Sequence, residues 1–329
     1  MKIPHIIGAD LSKKTIDLAS YQLKTFLKID NNASGFQDLI NWIIRQGIDL
    51  SEIMIVMEHT GLYSYQLEKF LHQCSVRFTK ISGLAIKRSM GLVRGKSDKV
   101  DAMRIAQYGF EKADRLVADK AQSCPLQRLQ LLHSTRQRLV KSRTSFINTV
   151  KEYQYAYELK STDPVVNTQL RTIKFLDHEI EKLTAQINRI IKSAKAIDYN
   201  YNLLQSIIGV GEVVALAIII KTANFSRFTN PRKFACYCGV APFENTSGTS
   251  IRGKTSVSDL ADKKIKTLLD LASKSAIQHD QELHDYYHRR IEQGKSKRST
   301  INVVRNKLLY RMFAVIKRQT PYQPLRIVA

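Results

Sequence analysis

The sequence has few acidic residues for its length and no long apolar run. Among 329 residues, 52 are lysine or arginine and only 29 are aspartate or glutamate, which gives a formal net charge of +23. Such an excess of positive charge is typical of proteins that bind nucleic acids. No apolar run approaches the roughly 20 residues of a membrane-spanning helix, and the segment MKIPHIIGADL lacks the apolar core and cleavage site of a signal peptide. We therefore expect a nucleic-acid-binding protein located in the cytoplasm.

Cysteine is also scarce, and its spacing excludes two kinds of site. Cys74, Cys124, Cys236 and Cys238 form no Cys-x-x-Cys pair, so the sequence indicates neither a zinc ribbon nor a disulfide framework. We expect all four to be thiols of the hydrophobic core.

The first 118 residues alternate between strand and helix patterns. The apolar runs IPHIIGADLS and TIDLASYQL, separated by SKK, predict a hairpin, and EIMIVME and VRFTKIS predict two further strands. The segments GFQDLINWIIRQGI, HTGLYSYQLEKFLHQC and SDKVDAMRIAQYGF have helical periodicity. This order predicts an α/β domain over residues 1–118.

Residues 119–198 predict a coiled-coil helical hairpin. A first helix begins near Pro125, and the segment STDP separates it from a second. Apolar residues of the second helix recur alternately every three and four positions, the pattern of a coiled-coil seam: Ile173, Leu176, Ile180, Leu183, Ile187, Ile190 and Ala194. Because this seam has no other obvious partner, we expect it to mediate self-association, with bundling inside one chain as the alternative.

Residues 199–329 predict a third, mainly helical region. SIIGVGEVVALAIII indicates two helices joined at Gly209 and Gly211, whose N–H groups could hold a DNA phosphate, although a plain helical hairpin explains them too. The segment APFENTSGTSIRGKTSVSDL is so rich in Ser, Thr and Gly that it predicts an exposed loop. In the basic helix near the end, we expect Arg305 and Lys307 to contact nucleic-acid phosphates rather than to form only a solvated face.

Four acidic residues stand where an α/β domain could build a metal site. Asp10 and Glu58 each end a predicted strand, and Asp98 and Asp101 lie three residues apart at the start of a predicted helix. Taken singly, each is explained as a turn or capping residue. Taken together in one small domain of a basic protein, they could hold two divalent ions for phosphodiester chemistry.

The neighbourhood of these acids indicates which ion and which substrate they would bind. An all-carboxylate cluster favours Mg²⁺ or Mn²⁺ over zinc. The cations Arg94, Lys96 and Lys99 flank the acidic helix and could hold phosphates of a nucleic acid.

Five separated motifs carry a family resemblance. GADLSKKTIDL, MEHTGLY, GKSDKVDAMRIA, IIGVGEVVA and FACYCGVAPFENTSGTSIRG resemble, in order and spacing, the Asp-Glu-Asp-Asp transposases of the one-ten family of insertion sequences, which are related to the pilin-gene DNA invertase. The resemblance covers nearly the whole chain. It implies a ribonuclease H/Holliday-resolvase-like fold for residues 1–118, with Asp10, Glu58, Asp98 and Asp101 as metal ligands. For residues 199–329 it implies a C-terminal transposase domain with a helix-hairpin-helix-like segment.

The resemblance also implies a serine nucleophile. It places this serine at Ser247, with Ser250 as a nearby competitor. A serine hydroxyl needs activation at neutral pH, and no adjacent histidine is present to supply it. We expect metal ions held by the acids to activate Ser247, with Arg252 or Lys254 adding positive charge, in a composite site.

Finally, the resemblance implies partners. Family members are recombinases guided by a bridge RNA that pairs with donor and target DNA, so base pairing would read the sequence while the protein reads backbone and shape. A homo-oligomer, with a dimer assembling to a tetramer, is expected. A metal-dependent junction resolvase or nuclease that uses water as nucleophile is the alternative, and a non-catalytic nucleic-acid-binding protein is a third possibility. A covalent protein–DNA adduct separates the first function from the second, and metal-dependent activity separates both from the third.

Overall fold

The computed structural model describes residues 4–59, 61–91, 97–120, 123–247 and 251–324. The chain forms two compact units, Met1–Ala121 and Gln122–Ala329. Each unit has its own hydrophobic core and is treated separately below.

A five-stranded mixed sheet organises the first unit, with the strand order β3-β2-β1-β4-β5. Strand β1 is antiparallel to β2 and parallel to β4, β2 is antiparallel to β3, and β4 is parallel to β5. The strands and helices of this unit are β1 His5–Leu11, β2 Thr15–Ser20, β3 Phe26–Asp30, α1 Ala33–Arg45, β4 Ile53–Glu58, α2 Tyr65–Gln73, β5 Arg77–Ile81, α3 Gly83–Ser89 and α4 Asp98–Glu111.

Alternation along β1 divides its side chains between two layers of helices. Ile7 belongs to a core cluster that includes Leu39 of α1 and Leu67 of α2, whereas Ile6 belongs to a cluster that includes Ile86 of α3 and Ile105 of α4. Both faces of the central strands are therefore covered, which explains why their sequences are almost continuously apolar. The α/β class predicted for this region is confirmed, and the sheet is consistent with a ribonuclease H-like domain. Strand β3 was not predicted.

The second unit is helical apart from one two-stranded sheet. Its elements are α5 Cys124–Ala156, α6 Pro164–Ser193, α7 Lys195–Gln205, α8 Glu212–Thr222, α9 Pro231–Tyr237, β6 Pro242–Ser247, β7 Ile251–Val257, α10 Lys263–His279, α11 Gln281–Glu292 and α12 Lys297–Arg318.

The long helices α5 and α6 form the predicted hairpin, and they pack along each other. Three residues of the α6 seam, Leu176, Ile180 and Ile187, are buried inside the chain, and the other four are half-buried. Bundling within one chain therefore explains this part of the seam, and self-association of the protein stays a prediction. The base of the hairpin also contributes Leu126 and other residues to the core of the second unit. The division into three domains stays a prediction.

Helix α8 forms the centre of the second core. Eight of its eleven residues are buried, as expected of a helix that is apolar on all sides. Helices α7 and α10 pack against it, and α12 packs against both of those helices. Within the described ranges, no helix combines the length and the apolar character needed to cross a membrane.

Two expectations for this unit are corrected. The Ser- and Thr-rich segment is not an irregular loop, because β6 and β7 form an antiparallel hairpin with an irregularity near Phe243 and Asn245. Threonine favours strands, and this preference outweighs the local glycine and serine content. Of the four cysteines, Cys238 is buried and Cys74 and Cys236 are half-buried, but Cys124 is exposed and is no core thiol.

Candidate active site

Small residues let α4 lie directly on the central sheet. A Cβ built at Gly8 of β1 would overlap the α4 backbone at Ala102 and Ala106, and both alanines are fully buried. A Cβ at Gly109, in the last turn of α4, would lie 2.7 Å from Cγ2 of Val56. The helix is therefore fixed against the strands at both of these points. This contact brings the first turn of α4 to the end of β1.

Asp10 lies close to several other acids at this end of the sheet. Burial, followed in order by the negative charges of Asp101, Asp98, Glu58 and Asp17, raises its pKa to about 6. The structure thus brings the four acids identified in the sequence into one electrostatic neighbourhood. Such a concentration of negative charge is unfavourable, and a bound divalent cation would relieve it.

These carboxylates do not form a closed set of metal ligands. In the part of the chain that is described, no three His, Cys, Asp or Glu side chains converge closely enough to hold a metal ion. Asp101 Oδ1 instead accepts a 2.7 Å hydrogen bond from Nη1 of Arg104, and Asp98 Oδ2 lies 3.8 Å from Nζ of Lys28. The oxygen donors and their charge fit Mg²⁺ or Mn²⁺. Binding such an ion requires the aspartates to exchange these internal cations for it.

Asp17 is a fifth acid of this neighbourhood that the sequence reasoning missed. It is the cross-strand partner of Asp10, it is 4% exposed, and its Oδ2 lies 3.4 Å from Nζ of Lys28. The signal was present in TIDLAS, where a single carboxylate interrupts an apolar strand. Its position opposite Asp10 depends on the register of the β1–β2 pairing, which the sequence pattern alone does not fix.

The glycines of the predicted phosphate-binding turn differ in their surroundings. Gly209 has a φ of 89°, and a Cβ there would lie 2.6 Å from the carbonyl oxygen of Ala272 and 2.8 Å from Cβ of Ala276. Close packing against α10 therefore explains Gly209. Gly211 is the N-cap residue of α8 and has no neighbouring atom within 4 Å of a Cβ built on it. Only Gly211 offers an open backbone of the kind that a phosphate could approach.

The cations predicted on α12 are engaged inside the second unit. Arg305 forms a short ion pair with Asp270. Lys307 Nζ lies 3.8 Å from Glu282 Oε1 and 4.4 Å from the ring centroid of Tyr286. Both side chains therefore have partners inside the protein. They do not form a free basic face, and their positions do not by themselves indicate phosphate binding.

The structure describes only some of the remaining predicted site residues. Lys99 is exposed, and its Nζ lies 5.2 Å from the ring centroid of Phe26. Ser247 is the last residue of β6. The residues Arg94, Lys96 and Ser250 lie outside the described residues, as do the side chains of Ser247, Arg252 and Lys254.

Comparison with known proteins places this arrangement in a family. A DEDD transposase model of the IS110 type matches residues 7–153, and a model described as Transposase IS116/IS110/IS902 family matches residues 201–288. The Pilin gene-inverting protein of Moraxella lacunata is 28% identical over 329 residues, covering 96% of this chain and 97% of that protein. The Probable family 20 transposase of Pseudomonas aeruginosa is 26% identical, covering 70% of this chain and 74% of its own.

A third relative, the Transposase for insertion sequence element IS1111A of Coxiella burnetii, is 26% identical over 56% of this chain and 56% of its own. The two family models together match well over half of the sequence, in the order of the two compact units. The protein is a DNA transposase. It belongs to the IS116/IS110/IS902 family of insertion-sequence transposases, and the resemblance found in its motifs is confirmed.

Proposed function

We propose that this transposase is a metal-dependent recombinase in which Asp10, Glu58, Asp98 and Asp101 hold the metal ions and Ser247 becomes covalently linked to DNA. The observation that carries the proposal is the environment of Asp10, where burial and surrounding carboxylates leave a local excess of negative charge. That excess is found in a chain whose net charge is +23. A negative site in a positive protein suits a cation that must work beside a polyanion.

The acids and the serine have separate tasks. When bound, Mg²⁺ or Mn²⁺ would activate the attacking oxygen and neutralise charge on the phosphate. The serine forms a bond from its Oγ to phosphorus, one P–O bond of the DNA backbone breaks, and the deoxyribose oxygen leaves with a proton. One phosphodiester replaces another, so strand exchange needs no ATP. Residues 248–255 (GTSIRGKT) match the letter pattern of a P-loop, but the second half of the pattern lies in strand β7 rather than at the start of a helix, so it does not indicate a nucleotide site.

Nucleic-acid contacts are assigned to residues with open or flanking positions. Lys99 is exposed in the first turn of α4, and Gly211 has an open backbone at the start of α8. By their sequence positions, Arg94, Lys96, Arg252 and Lys254 belong to the same set. Arg305 and Lys307 contribute less, because their charges are already paired.

Family membership supports the partners that we propose. They are donor DNA, target DNA and a bridge RNA that selects both by base pairing. We expect a dimer that assembles to a tetramer through surfaces other than the seam of α6. Its place of action is the cytoplasm, where the DNA of a bacterial insertion sequence lies.

The test is to trap the reaction on suicide DNA substrates, with Mg²⁺ and RNA transcribed from the element that carries the gene. Wild-type protein should form an adduct, and mass spectrometry of the digested product should locate the nucleotide on Ser247. Ser247→Ala should bind DNA and RNA but form no adduct, and Asp10→Asn should also form none. Ser250→Ala serves as the matched control and should react normally. Cleavage without an adduct would favour the nuclease, and an adduct on Ser250 would reject Ser247.

A further inference from the structure

The end of β4 and the start of α3 meet at Glu58 and Gly83. Glu58 is the last residue of β4, and Gly83 is the first residue of α3, two positions after the end of β5. A Cβ built on Gly83 would overlap Oε1 of Glu58 and would lie 2.6 Å from its Cδ. The carboxylate therefore occupies the space in which any other residue at position 83 would place its side chain.

The Glu58 carboxylate is packed directly against Gly83. Among the described residues, it makes no hydrogen bond and no ion pair. Its backbone is held by the pairing of β4 with β5, where Glu58 lies opposite Ile81. From this position its negative charge acts on Asp10, which directly follows the part of β1 that pairs in parallel with β4. A side chain added at position 83 would therefore displace the Glu58 carboxylate easily.

The backbone of α3 does not explain the glycine. Gly83 is absent from the described residues with positive φ, and its conformation is helical, so alanine fits there without strain. Alanine also has a higher helix propensity than glycine. The atoms that a Cβ would displace are the end of a flexible side chain rather than backbone. Folding would therefore tolerate alanine, but the Glu58 carboxylate would have to move.

We propose that Gly83 is a positioning residue of the active site, because its missing side chain leaves the space that keeps the Glu58 carboxylate beside the other acids. This inference rests on the proposed function, in which Glu58 is a metal ligand. The inference predicts that a substitution at Gly83 changes metal binding and folding stability in different directions, although these two properties usually change together. Gly83→Ala should damage metal binding while leaving the fold as stable as before or more so.

The test is a double-mutant cycle on the full-length protein, with Gly83→Ala, Glu58→Asp and the two combined. Mn²⁺ affinity is measured by titration calorimetry without nucleic acid, and the melting temperature is measured in EDTA. Gly83→Ala should weaken Mn²⁺ binding by about tenfold or more. Its melting temperature in EDTA should be unchanged or higher by about 2 to 4 °C.

The combined variant makes the steric argument specific. Aspartate is shorter by one methylene, so its carboxylate no longer reaches the space above residue 83. Adding Gly83→Ala to Glu58→Asp should therefore change Mn²⁺ affinity less than about twofold, which is strong non-additivity. Leu84→Ala changes the neighbouring exposed side chain of the same helical turn and serves as the control, with unchanged affinity.

Each other outcome identifies what is wrong. Unchanged Mn²⁺ affinity in Gly83→Ala would overturn the positioning role. It would also be overturned if Gly83→Ala weakened Mn²⁺ binding equally in the wild-type protein and in the Glu58→Asp variant. A lower melting temperature in EDTA would assign Gly83 to folding and would also overturn it. Glu58→Gln is measured in parallel. If Glu58→Gln bound Mn²⁺ normally, the metal site of the proposed function would fall, and this inference with it.

Discussion

Asp10 and Asp17 lie directly opposite each other on the antiparallel strands β1 and β2. Cross-strand partners point to the same face of a sheet, so two carboxylates from neighbouring strands share the face that α4 covers. Lys28 lies 3.4 Å from Asp17 and 3.8 Å from Asp98, and it supplies positive charge where five acids gather. The site therefore contains an internal cation that a metal ion would have to displace or tolerate.

Removing the charge of Asp10 should stabilise the metal-free protein. Asp10→Asn keeps the shape of the side chain but removes its negative charge. The cost of burying that charge and its repulsion by the other acids are therefore lost. We expect the free energy of unfolding in EDTA at pH 7 to rise by about 1 to 2 kcal/mol, after allowance for solvent screening. DNA cleavage should be lost at the same time. Asp38→Asn, on the exposed face of α1, is the control and should change neither quantity. A less stable Asp10→Asn protein would contradict the electrostatic account.

Removing the charge of Lys28 should strengthen metal binding. Lys28→Met eliminates a cation that pairs with Asp17 and Asp98, so divalent ions no longer compete with it. We expect half-maximal thermal stabilisation at a Mn²⁺ concentration roughly threefold to tenfold lower, since interactions with unit charges at this range are worth about 1 kcal/mol. The exposed Lys14→Met carries the same loss of net charge and should leave the Mn²⁺ dependence unchanged. Equal shifts in both variants would mean that only net charge matters.

The α6 seam should govern stability rather than oligomeric mass. Ile180 is 7% exposed and Phe175, on the same helix, is 62% exposed. Ile180→Asp places a charge in the packed interface with α5, and we expect it to destabilise the second unit by about 3 to 5 kcal/mol. Phe175→Asp should have little effect on the melting curve followed by circular dichroism. Equal melting temperatures for the two variants would show that the seam is not packed inside the chain.

His133 should make the second unit sensitive to mild acid. Burial, and then the charges of Arg136, Lys221 and Lys264, lower its pKa to about 4 from an ordinary 6.5. The unfolded chain takes up this proton below about pH 6.5 while the folded chain does not. Stability is therefore fully present above that pH and falls as the pH drops toward 4, by roughly 2 kcal/mol at pH 5.

The check is a pair of unfolding measurements at pH 7.5 and pH 5. His133→Gln cannot take up a proton and should lose about 2 kcal/mol less than wild type between the two values. His178→Gln changes an exposed histidine of α6 and should behave as wild type does. If all three proteins lost the same stability, the protonation of His133 would not be the cause.

The sequence predicted most of the first unit because its signals are local. Apolar runs marked β1, β2, β4 and β5, and helical periodicity marked α1, α2 and α4. Strand β3 was missed because FLKID is short and lies at the sheet edge, where only one of its five residues is buried. The β6–β7 hairpin was missed because glycine and serine suggested a loop, although its pairing depends on both strands together.

The site was predicted by residue type but not by its contacts. Asp10, Glu58, Asp98 and Asp101 could be grouped from their positions near element ends. The roles of Asp17 and Lys28 depend on the register of β1, β2 and β3, which a hydrophobic pattern does not fix at single-residue precision. The partner of the α6 seam could not be predicted either, since the same heptad pattern suits a neighbouring helix or a second chain.

The close contacts at Gly8 and Gly109 make the residue count of α4 as important as its composition for the orientation of the acidic first turn. These two close approaches allow the helix only one rotational setting on the sheet. Inserting or deleting a single residue between Asp101 and Gly109 would turn the acidic first turn by about 100° relative to the packed part. The number of residues between the aspartates and the small residues that follow them therefore sets the direction in which the aspartates point. We expect α4 to tolerate substitutions on its exposed face far better than any insertion or deletion.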